Sequence, residues 1–126
     1  MQFIQSDLLE QLPAGVRVDI LLANLPYIPT DRLSSLPISV RDYEPTIALD
    51  GGSDGLYYIT KLLNQAALVM KKRAVCWLEI DDTHTGELIL SNQQLASQGW
   101  RIEELYDSFG NMRFARCHLA RKNSIV

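Results

Sequence analysis

The sequence has no long apolar run, no excess of basic charge and no paired cysteine spacing, and each absence removes a class of protein. Its longest uninterrupted apolar stretches are Ala66–Met70 and Ala74–Leu78, far short of the ~20 residues that a membrane-spanning helix needs. Twelve Lys and Arg stand against 15 Asp and Glu, for a formal net charge of -3. That is the wrong sign for a surface built to neutralise phosphates, so nucleic acid is not the expected partner. The two cysteines, Cys76 and Cys117, lie far apart and belong to no CxxC or other metal or redox spacing. They are expected as buried, reduced thiols that act as small hydrophobes. His84 and His118 have no ligand-type neighbours at metal-binding intervals, and His84 is expected on the solvent side of a helix start. The first residues carry no basic start, and Asp7 interrupts them before an apolar stretch forms, unlike a secretory leader. A cytoplasmic protein is the expectation.

What remains is an ordinary globular composition: 126 residues, 47% hydrophobic and 21% charged, with no repeat or linker, which predicts one domain over residues 1–126. Gln2–Gln5 reads as a short strand followed by a turn at Ser6–Glu10. Val18–Ala23 is apolar enough for a strand covered on both faces. Residues 29–55, rich in proline and glycine, predict a long irregular loop. Ser53 or Asp54 is expected to cap a helix over about 56–72, with Ile59, Leu62, Leu63, Ala66, Ala67 and Met70 on one stripe. Lys71-Lys72-Arg73 would then meet the negative end of its dipole. Ala74–Ile80 reads as a strand and Asp82 or Thr83 through Ser97 as a helix, with Leu88, Asn92, Leu95 and Ala96 on one stripe and Gly99 as its stop. Trp100–Tyr106 and Met112–Ala120 close the chain as two strands, the last with an alternation that does not separate into faces. Trp77 and Trp100 are expected in the core. The order is α/β, with a parallel core and an antiparallel pair at its end.

The chemistry is expected at Asn24-Leu25-Pro26-Tyr27-Ile28-Pro29, directly after an apolar strand, where open α/β sheets bind ligands. The Asn24 amide oxygen and a backbone carbonyl in a proline-stiffened segment are two acceptors, and Tyr27 offers a flat aromatic face. That set suits holding a planar NH2 group for methyl transfer to nitrogen by positioning. The same four residues also suit a plain strand end.

Asn24-Leu25-Pro26-Tyr27, followed by Val40-Arg41-Asp42-Tyr43-Glu44-Pro45-Thr46-Ile47-Ala48-Leu49-Asp50-Gly51-Gly52-Ser53-Asp54-Gly55-Leu56, resembles the HemK-like release-factor glutamine N5-methyltransferases. The resemblance continues through Trp77-Leu78-Glu79-Ile80 and Asp107 to Arg113, and covers Phe3 to about Leu119. It implies a partial Rossmann-like class I methyltransferase fold, S-adenosylmethionine as cofactor and a release-factor-like protein as substrate. Asn24 and the Pro26 carbonyl would hold the glutamine amide with Tyr27 beside it as the catalytic set. Leu25, Glu44 and Pro45 would complete the substrate pocket, and Asp7, Leu8 and Asn24 would face the cofactor. Asn-Leu-Pro-Tyr also occurs in ribosomal RNA adenine dimethyltransferases, but the downstream stretch is not similar to theirs. The first two sheet strands of the family and its glycine-rich cofactor turn have no counterpart in this sequence. The chain is therefore expected to be an incomplete copy in isolation, or a noncatalytic module for binding or assembly. The missing strands would leave the Val18–Ala23 edge open, which predicts a homo-oligomer.

Overall fold

A computed structural model describes residues 1–120. The strands are β1 (Val18–Ala23), β2 (Met70–Glu79), β3 (Trp100–Tyr106) and β4 (Met112–Leu119), and the helices are α1 (Ile38–Arg41), α2 (Tyr57–Val69), α3 (Gly86–Leu90) and α4 (Gln93–Gln98). The sheet order is β1-β2-β4-β3. β1 runs parallel to β2, while β4 is antiparallel to both β2 and β3. Three strands therefore share one direction and β4 opposes them, which is the expected mostly parallel sheet with a terminal antiparallel pair.

Helix α2 holds the core because Ile59, Leu62, Leu63 and Ala66 repeat at three- and four-residue spacing and are all buried. They meet Cys76 and Leu78 from β2, Ile80 just beyond it, and Ala115 and Cys117 from β4, with Ile89, Leu95 and Trp100 closing the same cluster. Alternation in β4 is now resolved: Ala115 and Cys117 are buried, while Phe114, Arg116 and His118 alternate with them onto the opposite face. Cys76 and Cys117 are directly opposed in the β2–β4 ladder and both are buried free thiols, as expected. Burial pushes the Cys76 thiol up to about 12 and pushes Cys117 further still.

Several expectations are corrected. Gln2–Gln5 is not a strand; among the described residues no segment pairs with it, and Phe3 is 89% exposed. β1 is covered on one face only, with Ile20 63% and Leu22 74% exposed, because the helices that pack on the sheet all lie on the Leu21 and Ala23 side. Trp77 lies half-buried on the open face under the Arg116 guanidinium, 5.9 Å from the ring centroid, while Trp100 is in the core. Helix α2 ends at Val69, so Lys71, Lys72 and Arg73 belong to β2 instead of the last helical turn. The helix predicted through Ser97 is two, because Thr85 and Asn92 each cap a new start by accepting the amide three residues on, Leu88 and Leu95. Asn92 is thus a cap and not part of an apolar stripe, and Gly99 stops α4 at φ 85 as predicted.

The one-sided sheet sets a contrast between two leucines. Leu63→Ala, beneath α2, is expected to cost about 2–5 kcal/mol, whereas Leu22→Ser on the open face should change stability by less than about 0.5 kcal/mol. Urea denaturation of both variants checks this, and equal losses would contradict the one-sided packing.

Candidate functional site

The end of β1 feeds directly into Asn24-Leu25-Pro26-Tyr27, and the turn Asp50–Gly55 is fastened along that segment. Ile28 N donates to Leu49 O at 3.0 Å, Gly51 N to Ile28 O at 2.9 Å, and Thr30 N to Gly52 O at 2.9 Å. Asp50 locks the turn by accepting from Thr30 Oγ1 at 2.7 Å and Gly52 N at 3.0 Å. These two bonds, the hydroxyl's first, hold the Asp50 carboxyl below its ordinary value.

Two glycines make the approach possible. A Cβ on Gly51 would lie 2.7 Å from Tyr27 Cα and 2.8 Å from Pro26 O. On Gly55, at φ 79, it would lie 2.2 Å from Tyr27 O and 2.8 Å from His84 Nε2. The glycine-rich stretch is thus a backbone-to-backbone contact. Gly51 packs against the Pro26 carbonyl, whose oxygen accepts no hydrogen bond among the described residues.

A cavity of about 180 Å³ follows, lined by Asn24, Leu25, Tyr27, Ile28, Glu44 and Glu79, among others. Asn24 is exposed at its rim. Tyr27 Oη donates to Glu79 Oε1 at 3.0 Å, and Arg113 Nη2 reaches the same oxygen at 3.2 Å. Burial first, then the Glu79 carboxylate, push the Tyr27 phenol up to about 12. Tyr27 therefore stays protonated and acts as wall and donor, not as a base. Pro45 is exposed and precedes the 3-10 turn Thr46–Ala48.

Structure thus brings Asn24, Leu25, Tyr27 and Glu44 to one cavity, with the Pro26 carbonyl held beside them. Asp7 and Leu8 do not line it. Asp7 Oδ2 is taken by Lys61 Nζ at 2.7 Å, and Leu8, at φ 54, packs on the core. The amides of Gly51, Gly52 and Gly55 are all bonded within the turn or to Ile28. These three turn amides are therefore already committed and are not free to bind an anion.

Sequence reasoning missed three residues. Glu79 closes β2 between Tyr27 and Arg113. His84 is buried instead of solvent-facing: its Nδ1 accepts from Asp81 N at 3.2 Å and its Nε2 donates to Asp54 O at 2.9 Å, which fixes the tautomer. Asp81 is buried and paired with Arg32 at 2.7 Å. Burial raises the Asp81 carboxyl, but the Thr83 hydroxyl and amide, with Arg32 and His84, outweigh it and hold it below its ordinary value. The signal available was local: Asp81 lies at a strand end, and His84 lies three residues on, at helical-turn reach.

No protein-family model matches the chain. It is 35% identical over 127 residues to the release factor glutamine methyltransferase of Bacillus subtilis (strain 168), an alignment covering 98% of this chain and 42% of that protein. The chain belongs to the release factor glutamine methyltransferase family. The corresponding protein of Moorella thermoacetica is 47% identical over 77 residues, 61% of this chain and 26% of its own length. That of Geobacter sulfurreducens is 60% identical over 40 residues, 32% of this chain and 14% of its own length. The chain spans less than half the length of the curated relatives it matches. Its four-stranded α/β sheet is a partial class I methyltransferase fold of the HemK-like type. No helix among the described residues is long and apolar enough to cross a membrane.

Two outcomes test this geometry. Gly55→Ala combines a positive φ with backbone overlap and is expected to destabilise the fold by about 2 kcal/mol or more, read by thermal or urea unfolding. Asp50 and Asp81 have lowered folded-state values, so their stabilisation is present above the ordinary carboxyl value of ~3.9 and is lost as pH falls through the lower folded values. Unfolding midpoints should drop through that acid window, and less steeply in Asp81→Asn; an unchanged slope would contradict the assignment.

Proposed function

We propose that this chain carries the substrate clamp of an S-adenosylmethionine-dependent N-methyltransferase that acts on a glutamine side-chain amide of a release-factor-like protein. The observation that carries this reading is the pair of unengaged acceptors at the end of β1. Neither the Asn24 carboxamide nor the Pro26 carbonyl, which packs beside Gly51, joins a hydrogen bond among the described residues. A primary amide presents two coplanar N–H donors, so two acceptors fix its plane and its rotation. Its nitrogen is a poor nucleophile because its lone pair is shared with the carbonyl. Anchoring both hydrogens favours the geometry in which that pair points at an electrophile, an effect of positioning and electrostatics. Tyr27, kept protonated and tied to Glu79, holds the wall against which the amide lies. Glu44 and Pro45 border the entrance from the loop.

S-adenosylmethionine would supply the methyl group. Asp7 and Leu8 are the positions that resemblance offers for it; Asp7 is paired with Lys61 and Leu8 packs on the core. The described sheet corresponds to the C-terminal portion of a methyltransferase domain, without the first two strands and the glycine-rich cofactor turn. On this reading the chain's own residues bind the carboxamide. A second reading, a noncatalytic binding or assembly module, is favoured by the open edge and face of β1. A second copy pairing along that edge would satisfy the free backbone groups of β1 and give a homo-oligomer. Two buried thiols and the absence of paired cysteines fit a reducing compartment, and we assign the chain to the cytoplasm.

Titration of the isotope-labelled chain with N-acetylglutamine amide is expected to shift the resonances of Asn24–Ile28 saturably. Asn24→Ala should weaken that binding by about tenfold. Absence of saturable shifts would remove the clamp reading and leave the assembly module. Calorimetry with S-adenosylmethionine and its demethylated product at millimolar concentration should give no heat, and saturable heat would overturn the noncatalytic description. Light scattering at micromolar concentration is expected to show more than one copy, against which a monomer would decide.

A further inference from the structure

Lys71-Lys72-Arg73 find no use in the clamp, which lies at the other end of the sheet. Val18 of β1 pairs with Met70 of β2, but Ile20 pairs with Val75. Two steps along β1 are therefore matched by five along β2, and Lys71, Lys72 and Arg73 are pushed out of the ladder as a bulge. Arg73 sits at φ 67, a left-handed conformation that an L side chain adopts only when its surroundings impose it. All three residues are exposed. Beside the bulge is a cavity of about 500 Å³, whose wall is completed by Arg116 and His118 from β4. Ala67, Met70 and Leu119 give it an apolar side.

Charge in this cavity runs against that of the whole chain. Two acids oppose it: Asp19 pairs with Lys71 at 2.9 Å, and Glu103 with Arg116 at 3.5 Å. Lys72 and Arg73 have no acidic partner among the described residues, so two cationic groups remain in excess on a protein of net charge -3. His118 Nδ1 is buried and has no hydrogen-bond partner among the described residues. Leaving a lone pair unpaired costs less than burying an unpaired N–H, so the proton belongs on Nε2, which makes His118 a further donor at the wall.

We propose that this bulge and cavity bind the phosphate groups of a nucleotide-sized anion, at a site separate from the Asn24 cavity by roughly 20 Å of strand. Lys72 and Arg73 take the phosphate oxygens through charge-assisted hydrogen bonds, Arg116 and the His118 Nε2 proton approach from the far wall, and the apolar side receives the remainder of the molecule. Arg73, at its left-handed φ, is among the residues that line the cavity. The clustering of Lys72 and Arg73 at one concavity, on a chain of net charge -3, favours a small phosphorylated molecule over a long nucleic acid.

The whole chain is titrated at low salt with ADP, with inorganic pyrophosphate and with a ten-nucleotide RNA, followed by calorimetry and by resonance shifts. Saturable binding of ADP with shifts at Lys71–Ala74 and Leu119 is expected. Equal affinity for pyrophosphate would place recognition in the phosphates alone, and weaker affinity would give the apolar side a share; both support the site. Lys72→Glu combined with Arg73→Glu should weaken ADP by about tenfold or more. Arg73→Gly separates function from folding: release of the left-handed strain should raise the melting temperature, while ADP affinity falls about fivefold. No saturable response to ADP or pyrophosphate up to about 10 mM, well beyond a usable phosphate site, would overturn the proposal. So would RNA binding that exceeds ADP at the same residues, or ADP affinity unchanged in the double variant.

Discussion

The site depends on one close approach, that of the Asp50–Gly55 turn to the backbone of Asn24–Ile28. Gly51 and Gly55 come so near Pro26, Tyr27 and His84 that a single methyl group at either position would overlap backbone atoms. Everything chemical about the strand end follows from that contact. It stiffens a proline-containing segment that, among the described residues, has no ladder of its own beyond one bridge, Ile28 to Asp50, and it leaves the Pro26 carbonyl without a hydrogen bond there. Through Asp54 and His84 it also carries the turn onto the end of β2, where Asp81 and Arg32 meet. A glycine-rich stretch in this place serves as a spacer between two backbones, which is why its amides are already occupied.

Much of this was legible in order and little of it in depth. Apolar runs marked β1, β2 and β3 to within a few residues, and the three- and four-residue spacing of Ile59, Leu62, Leu63 and Ala66 marked α2, because burial on one side leaves its period in the sequence. The clamp residues were legible because acceptors, a stiff backbone and an aromatic follow a strand end. Glu79, Asp81 and His84 were not, since their roles come from neighbours about 30 to 50 positions away, Asp54, Arg32 and Tyr27. Asn92 misled in the other direction: its side chain competes for the backbone, and that local competition split a helix that periodicity alone would have continued. The basic triplet after Val69 looked like a complement to the helix dipole, but the register of β1 against β2 required a bulge, and register is set by long-range pairing.

The sheet is polarised both along its strands and through its thickness. Along the strands, uncommitted acceptors sit beyond the carboxyl end of β1 and surplus cations at the opposite end. Through the thickness, helices cover one face, and the other shows Ile20, Leu22, Trp77 and Phe114. An alternating strand that hides only half of its apolar residues has a free energy of folding that rests on α2 more than on the sheet itself.

Cys76 and Cys117 face one another across the ladder at the centre of the core, with their thiols held in the unreactive, protonated form. A maleimide or aromatic disulfide can meet either sulfur only when β2 and β4 part, so modification of both in a single step would time the opening of the whole core. The molecule thereby carries its own clock for cooperative unfolding, one that needs no introduced residue and does not disturb either end of the sheet.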